Sequence, residues 1–182
     1  MKNVLKTLPI LAVGLLLTAS LARAQFGSPT GTTTVTVTIG PQAGLNITNN
    51  STPLTATGSN FNTFTGSTGL TYFVRTTTTG GGGSITLKVT TDFSPVGGPS
   101  VGTPPTAGDK LSYTCTVASP GTACTGTQTS STTATTNVAT FGTNIHTDPA
   151  GSTASVAWSL TNDPKYKTGT YNATVTFTIS AS

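Results

Sequence analysis

Residues 70–89 read LTYFVRTTTTGGGGSITLKV, and the spacing of their apolar side chains decides the fold class. Leu70, Tyr72 and Val74 occupy alternate positions, and so do Ile85, Leu87 and Val89 beyond the glycines. A period of two places such side chains on one face of an extended chain, and the β-branched threonines between them suit the opposite, wetter face. The Gly80 to Gly83 run lies between two strong strands and is expected to form a flexible hairpin loop.

The same alternation recurs at residues 34–39, 111–117, 156–160 and 171–179. Turn-forming clusters separate these runs: Gly40-Pro41, the Pro/Gly-rich stretch 94–108, Ser119-Pro120-Gly121 and Asp148-Pro149-Ala150-Gly151. Nothing after residue 24 carries a 3.6-residue apolar stripe, so helix is expected to be scarce. Many short alternating strands without intervening helices imply an all-β domain over residues 41–182. The expected architecture is a two-sheet antiparallel immunoglobulin-like sandwich of about seven to nine strands. Trp158, in phase with Val156 and Leu160, belongs to its core.

Composition allows one rival reading. Only 7% of the residues are charged, Glu is absent, and 45 of the 182 positions are threonine, against roughly 25% charged residues in an ordinary soluble protein. A disordered Thr/Gly-rich stalk would share that composition but not the period of two, so the threonines are read as the solvent faces of strands.

The first 24 residues are a different kind of sequence. Lys2 and Lys6 precede an apolar run from Leu8 to Leu21, and Ala22-Arg23-Ala24 supplies an A-x-A site. That is the three-part pattern of a cleaved secretory signal peptide, and the run is shorter than the roughly 20 residues needed to span a bilayer. The working chain is therefore expected to begin at Gln25, to hold one domain in 158 residues, and to insert in no membrane after cleavage. It would be secreted or displayed at the cell surface, by way of the periplasm in a Gram-negative source. Cleavage removes three of the eight basic residues and leaves five against four acidic ones. These are too scattered to track a phosphate backbone, so nucleic acid is not expected as a partner.

Candidate chemistry is sparse. Cys115 and Cys124 are the only cysteines, and in an oxidising compartment they are expected to form a structural disulfide stapling the two arms of one hairpin. His146 is the only histidine. A Ser-His-Asp set built on His146 and Asp148 lacks a nucleophile elbow, so no catalytic residues are assigned and no enzyme is expected. Calcium at Asp148 or Asp163 with loop carbonyls is a weaker reading than solvated turn residues, so no metal site and no cofactor are assigned. Surface glycans are an alternative partner, with Tyr166 the best exposed ring. Asn-x-Ser/Thr sequons occur at Asn46, Asn49, Asn50 and Asn172.

The two ends of the mature chain are the informative part. Soluble sandwiches usually guard edge strands with Lys, Pro or bulges, yet residues 32–39 and 170–179 contain no charge and no Pro. The closing run Gly169-Thr170-Tyr171-Asn172-Ala173-Thr174-Val175-Thr176-Phe177-Thr178-Ile179 resembles the final strand of exported pilin-like sandwiches, the spore coat protein U and chaperone-usher group. Residues 31–39 are similar to the donor strand of such subunits. The resemblance implies that Val35, Val37 and Ile39, within an extension spanning 25–40, fill a groove left by a missing strand in a neighbouring copy. It likewise implies that Tyr171, Ala173, Val175, Phe177 and Ile179 form the terminal sandwich strand, and that copies join head to tail. The chain departs from that group in its cysteines, which fall close together rather than tying an early strand to its neighbour.

Overall fold

The computed structural model describes residues 32–58 and 60–182. The leader 1–24 and the first part of the extension, 25–31, lie outside the described residues. Nine strands follow one another: β1 (Gln42–Ile47), β2 (Phe64–Arg75), β3 (Gly83–Ser94), β4 (Ser112–Val117), β5 (Thr122–Ala123), β6 (Gln128–Thr129), β7 (Thr136–Phe141), β8 (Ser152–Leu160) and β9 (Asn172–Ala181). They build an antiparallel five-stranded sheet in the order β1-β2-β8-β4-β6 and a four-stranded sheet in the order β5-β7-β3-β9. The architecture is the expected all-β two-sheet sandwich, with no helix among the described residues.

The core follows from the period of two. Leu70, Tyr72 and Val74 point inward from β2, Ile85, Leu87 and Val89 from β3, and Ala154, Val156, Trp158 and Leu160 from β8. Burying each larger aliphatic or aromatic side chain is worth about 1.5–3 kcal/mol, which is why alternate positions dominate the layer. Two buried phenols find partners in loops or in the other sheet. The Tyr72 hydroxyl donates to the Ala118 carbonyl at 2.5 Å and accepts the Gly121 N–H at 3.0 Å. Tyr113 of β4 donates to the Asn137 carbonyl of β7 at 2.8 Å, joining the two sheets through a satisfied hydrogen bond.

Three local expectations are corrected. Gly80 to Gly83 do not close a hairpin, because β2 pairs with β1 and β8 whereas β3 pairs with β7 and β9. The segment crosses from one sheet to the other. Its start is drawn inward by Thr76, whose N–H bonds Ile145 O at 2.9 Å and whose hydroxyl bonds Gly142 O at 2.8 Å.

The Cys115–Cys124 disulfide forms, with the Cα atoms 5.6 Å apart, but it does not staple one hairpin. Cys115 lies on β4 of the five-stranded sheet and Cys124 directly follows β5 of the four-stranded sheet, so the bond fastens the sheets to each other. The chain between them turns from one layer to the other at Ser119-Pro120-Gly121.

The strand expected at residues 34–39 is absent among the described residues: 32–41 form no ladder, and Val35, Val37 and Ile39 are 89%, 78% and 65% exposed. Alternation makes a segment fit for a sheet, but a strand exists only when another edge accepts its hydrogen bonds.

Replacing both cysteines by alanine should lower unfolding free energy by about 2–3 kcal/mol, the loop-closure value for a nine-residue separation. Urea denaturation checks this. The far-UV spectrum should stay that of a β-sandwich, because the buried layer between the sheets remains.

Candidate functional site

β1 and β9 are the edges of their respective sheets and flank the same side of the sandwich. Their backbones approach each other along this side, and a groove opens beside the first half of β9. β9 pairs with β3 on one side only, and its ten residues NATVTFTISA carry no charge and no Pro. Ala173, Val175, Phe177 and Ile179 turn toward the core yet remain only half-buried. Every second residue of β9 thus faces apolar neighbours below and lacks a full cover at its flank.

Beneath the first half of that edge runs a groove of 570 Å³. Ile47, Leu54, Phe93, Leu111, Trp158 and Phe177 supply its apolar lining. Trp158 is only 5% exposed and its indole N–H donates to Thr68 Oγ1 at 2.8 Å, while that hydroxyl also meets Thr52 Oγ1 at 2.7 Å. The floor is therefore fixed in place by hydrogen bonds as well as by packing. Tyr171, placed at the start of the terminal strand by the sequence, precedes β9 at the groove mouth, where its hydroxyl donates to the Lys167 carbonyl at 2.7 Å. Asn49, Asn50 and Asn172 of the sequons also stand at this mouth.

The segment between β1 and β2 closes one flank of the groove. A Cβ on Gly66 would come 2.6 Å from the Pro53 carbonyl oxygen and 2.7 Å from Leu54 Cδ2, so glycine on β2 lets that segment cross directly over the strand. Above Phe93, Asp92 organises the next loop: its carboxylate accepts the Ser100 hydroxyl (2.6 Å) and the N–H groups of Val101 (2.7 Å), Gly102 (3.1 Å) and Phe93 (2.8 Å). Burial alone would raise its pKa, but these four donors together hold it below the usual 3.8.

At the opposite end of β1, Arg75 fastens the point where the N-terminal segment leaves the sandwich. Its Nε donates to the Gly40 carbonyl at 2.8 Å and its Nη2 to Gln42 Oε1 at 3.4 Å. A smaller recess of 310 Å³ lies here, lined by Ile39, Pro41, Arg75, Asn144 and His146. His146 pairs through its backbone with Arg75. The root of the extension and the groove therefore stand at the two ends of β1, about 17 Å apart by strand rise.

A third cluster sits in the loops before β4 and between β8 and β9. Asp109 is 5% exposed, and Thr161, Asp163 and Tyr166 surround its carboxyl group. Burial first, and then the neighbouring Asp163, push Asp109 up. Asp163 is held down by the hydroxyl of Thr106 and the backbone N–H of Lys165. Tyr166 is pushed up to about 12, by burial and then by the charges of Asp109 and Asp163. No group of three or more His, Cys, Asp or Glu side chains meets among the described residues.

Of the residues marked by the sequence, Ala173, Val175 and Phe177 come together with Tyr171 around the groove, and Ile179 continues their row along β9. Val35, Val37 and Ile39 form no strand. Leu111 opens an alternating run, whereas Ile47, Leu54 and Phe93 lie outside every such run, and only strand order brings the four to one groove. No helix among the described residues is long and apolar enough to cross a membrane. Compared with family models, curated proteins and solved structures, the chain has no match.

Gly66→Ala should destabilise the fold by about 1–3 kcal/mol by lifting the 52–54 segment off β2, measured by chemical denaturation. Asp92→Asn should lower Tm near neutral pH. Because the folded-state value of Asp92 lies below its unfolded 3.8, its contribution is fully present above that pH and disappears as the pH falls through the folded value. The Tm difference between the two proteins should therefore close below pH 3.8, as calorimetry across a pH series would show.

Proposed function

We propose that the chain is a non-enzymatic structural subunit of an extracellular filament, pilus-like fibre or surface coat, assembled by β-strand exchange. Residues 32–39 of one copy lie along β9 of the next, and Val35, Val37 and Ile39 fill the groove beneath that edge. The polymer is a head-to-tail homopolymer, and the leader 1–24 takes the subunit out of the cytoplasm before it assembles. Export to an oxidising compartment is compatible with the Cys115–Cys124 disulfide.

One observation carries the reading: a long uncharged sheet edge over an apolar groove occurs in the same chain as an alternating apolar segment that forms no ladder among the described residues. Each lacks what the other offers. Ladder hydrogen bonds would complete the backbone of β9, and side chains at alternate positions would enter the groove. Full burial of Val35, Val37 and Ile39 would supply roughly 5–9 kcal/mol in gross terms, set against the entropy of association. The fixed root at Arg75 and Gly40 lies at the far end of β1 from the groove, which suits a contact that passes from subunit to subunit without closing on itself.

Negative-stain electron microscopy of the chain beginning at Gln25 should reveal rods. Deleting residues 25–40 should stop their growth and leave a folded subunit that binds a peptide of residues 32–39 in trans. Val37→Asp should weaken that peptide by at least about tenfold, since a buried unpaired charge costs well over 1.4 kcal/mol. A chain that stays monomeric with an intact fold at all concentrations, and whose truncation changes nothing, would overturn the proposal in favour of a monomeric adhesive or glycan-binding module.

A further inference from the structure

Two carboxylates far apart in sequence meet at the end of the sandwich where the groove opens. Asp109 belongs to the loop before β4, and Asp163 to the loop between β8 and β9. Asp109 is almost wholly buried, and among the described residues its Oδ2 has no hydrogen-bond partner. The Tyr166 hydroxyl, also shielded from solvent, has none either. The two groups face each other without closing a hydrogen bond of acceptable geometry. A buried, unpartnered carboxylate oxygen beside an unpartnered hydroxyl is costly for a native fold and is normally answered by a partner.

The surroundings define the chemistry of that partner. The cluster presents oxygen only: carboxylates from Asp109 and Asp163, and hydroxyls from Tyr166, Thr106 and Thr161. No sulfur or imidazole takes part, which disfavours soft and transition metals. One cation is already close, since Lys165 Nζ donates to Thr106 Oγ1 at 3.1 Å and its charge acts on Asp163. Its charge favours the outer carboxylate of the pair, and Asp109 Oδ2 stays without a partner among the described residues.

We infer that Asp109, Asp163 and Tyr166 form a site for one hard divalent cation, Ca²⁺, with Asp109 Oδ2 and the Tyr166 hydroxyl as its inner ligands. Two carboxylates completed by neutral oxygens and water suit the flexible coordination shell of Ca²⁺, whereas Mg²⁺ requires near-ideal octahedral geometry. The ion would join the loop before β4 to the loop that feeds β9, and so hold the mouth of the groove near Tyr171. This inference is independent of strand exchange, because the cluster uses no residue of the N-terminal segment.

The test is a titration of the chain beginning at Gln25 with CaCl₂, by calorimetry and by thermal melting, with MgCl₂ as control. One Ca²⁺ per chain should bind with a Kd of about 10⁻⁴–10⁻³ M, and Tm should rise by roughly 3–6 °C at ten times Kd. Tb³⁺ should bind with emission sensitised by excitation of the aromatic side chains, and Ca²⁺ should displace it. Asp109→Asn and Asp163→Asn should each weaken Ca²⁺ by at least about tenfold, and Tyr166→Phe by a smaller factor. Absence of saturable Ca²⁺ or Tb³⁺ binding up to about 10 mM in the unaltered chain would overturn the assignment. So would an unchanged affinity in folded Asp109→Asn or, where both carboxamide variants fail to fold, in Tyr166→Phe.

Discussion

A β-sandwich stands only while each sheet's apolar face is covered by the other, and here that cover is complete over β2, β3, β7 and β8 and runs out at β9. Tyr72, Ile85, Leu87, Val138 and Val156 are sealed between the layers, because each has sheet on both flanks and the opposite layer above it. β9 has a neighbour on one side, so Ala173, Val175 and Phe177 give the core one face and keep a flank toward an open groove. The rest of the molecule is arranged around that shortfall.

The groove is held by contacts that resist collapse. Trp158 is tied to Thr68, and Gly66 lets the 52–54 segment press against β2. Asp92 secures the loop above Phe93 with four donors. A cavity in a protein interior usually costs stability in proportion to its volume. The cost of this one is offset in the proposed assembly, where a strand from a second copy occupies it. The disulfide between β4 and the end of β5 contributes on the opposite flank, where the edges are two-residue strands with few ladder bonds. Covalent linkage there and strand addition at β9 would close the two weak sides of one sandwich by different means.

Surface composition and assembly are connected in the same way. Thr-rich outer faces offer hydroxyls and β-branched packing without charge, and charge is what usually keeps sheet edges apart. A chain with charges at only 7% of its positions therefore leaves β9 without electrostatic protection. Of the nine charged residues after the leader, Arg75, Lys88 and Asp92 lie on strands and six in loops, and Asp92 and the Asp109–Asp163 pair organise chain turns at one end of the sandwich.

Fold class and most strands were legible in the sequence, because the period of two is a local property: β2, β3, β4, β8 and β9 all coincide with alternating runs. β1, with Gly44 in its middle, and the two-residue β5 and β6 lack that pattern, and β7, spelled TNVATF, breaks it with Val138 and Ala139 adjacent. The pairing of Cys115 with Cys124 followed from there being only two cysteines, whereas their placement on different sheets depended on where the chain turned. The Gly80 to Gly83 connection crosses between sheets for a reason local sequence does not carry, since it fixes that a chain turns but not which layer receives it. The groove and the carboxylate pair lay furthest from view. Phe93 meets Trp158, and Asp109 meets Asp163, only once strand order has brought segments more than fifty residues apart to one end of the sandwich. Alternation tells each residue which face it occupies, and only the packed sheets decide what stands opposite.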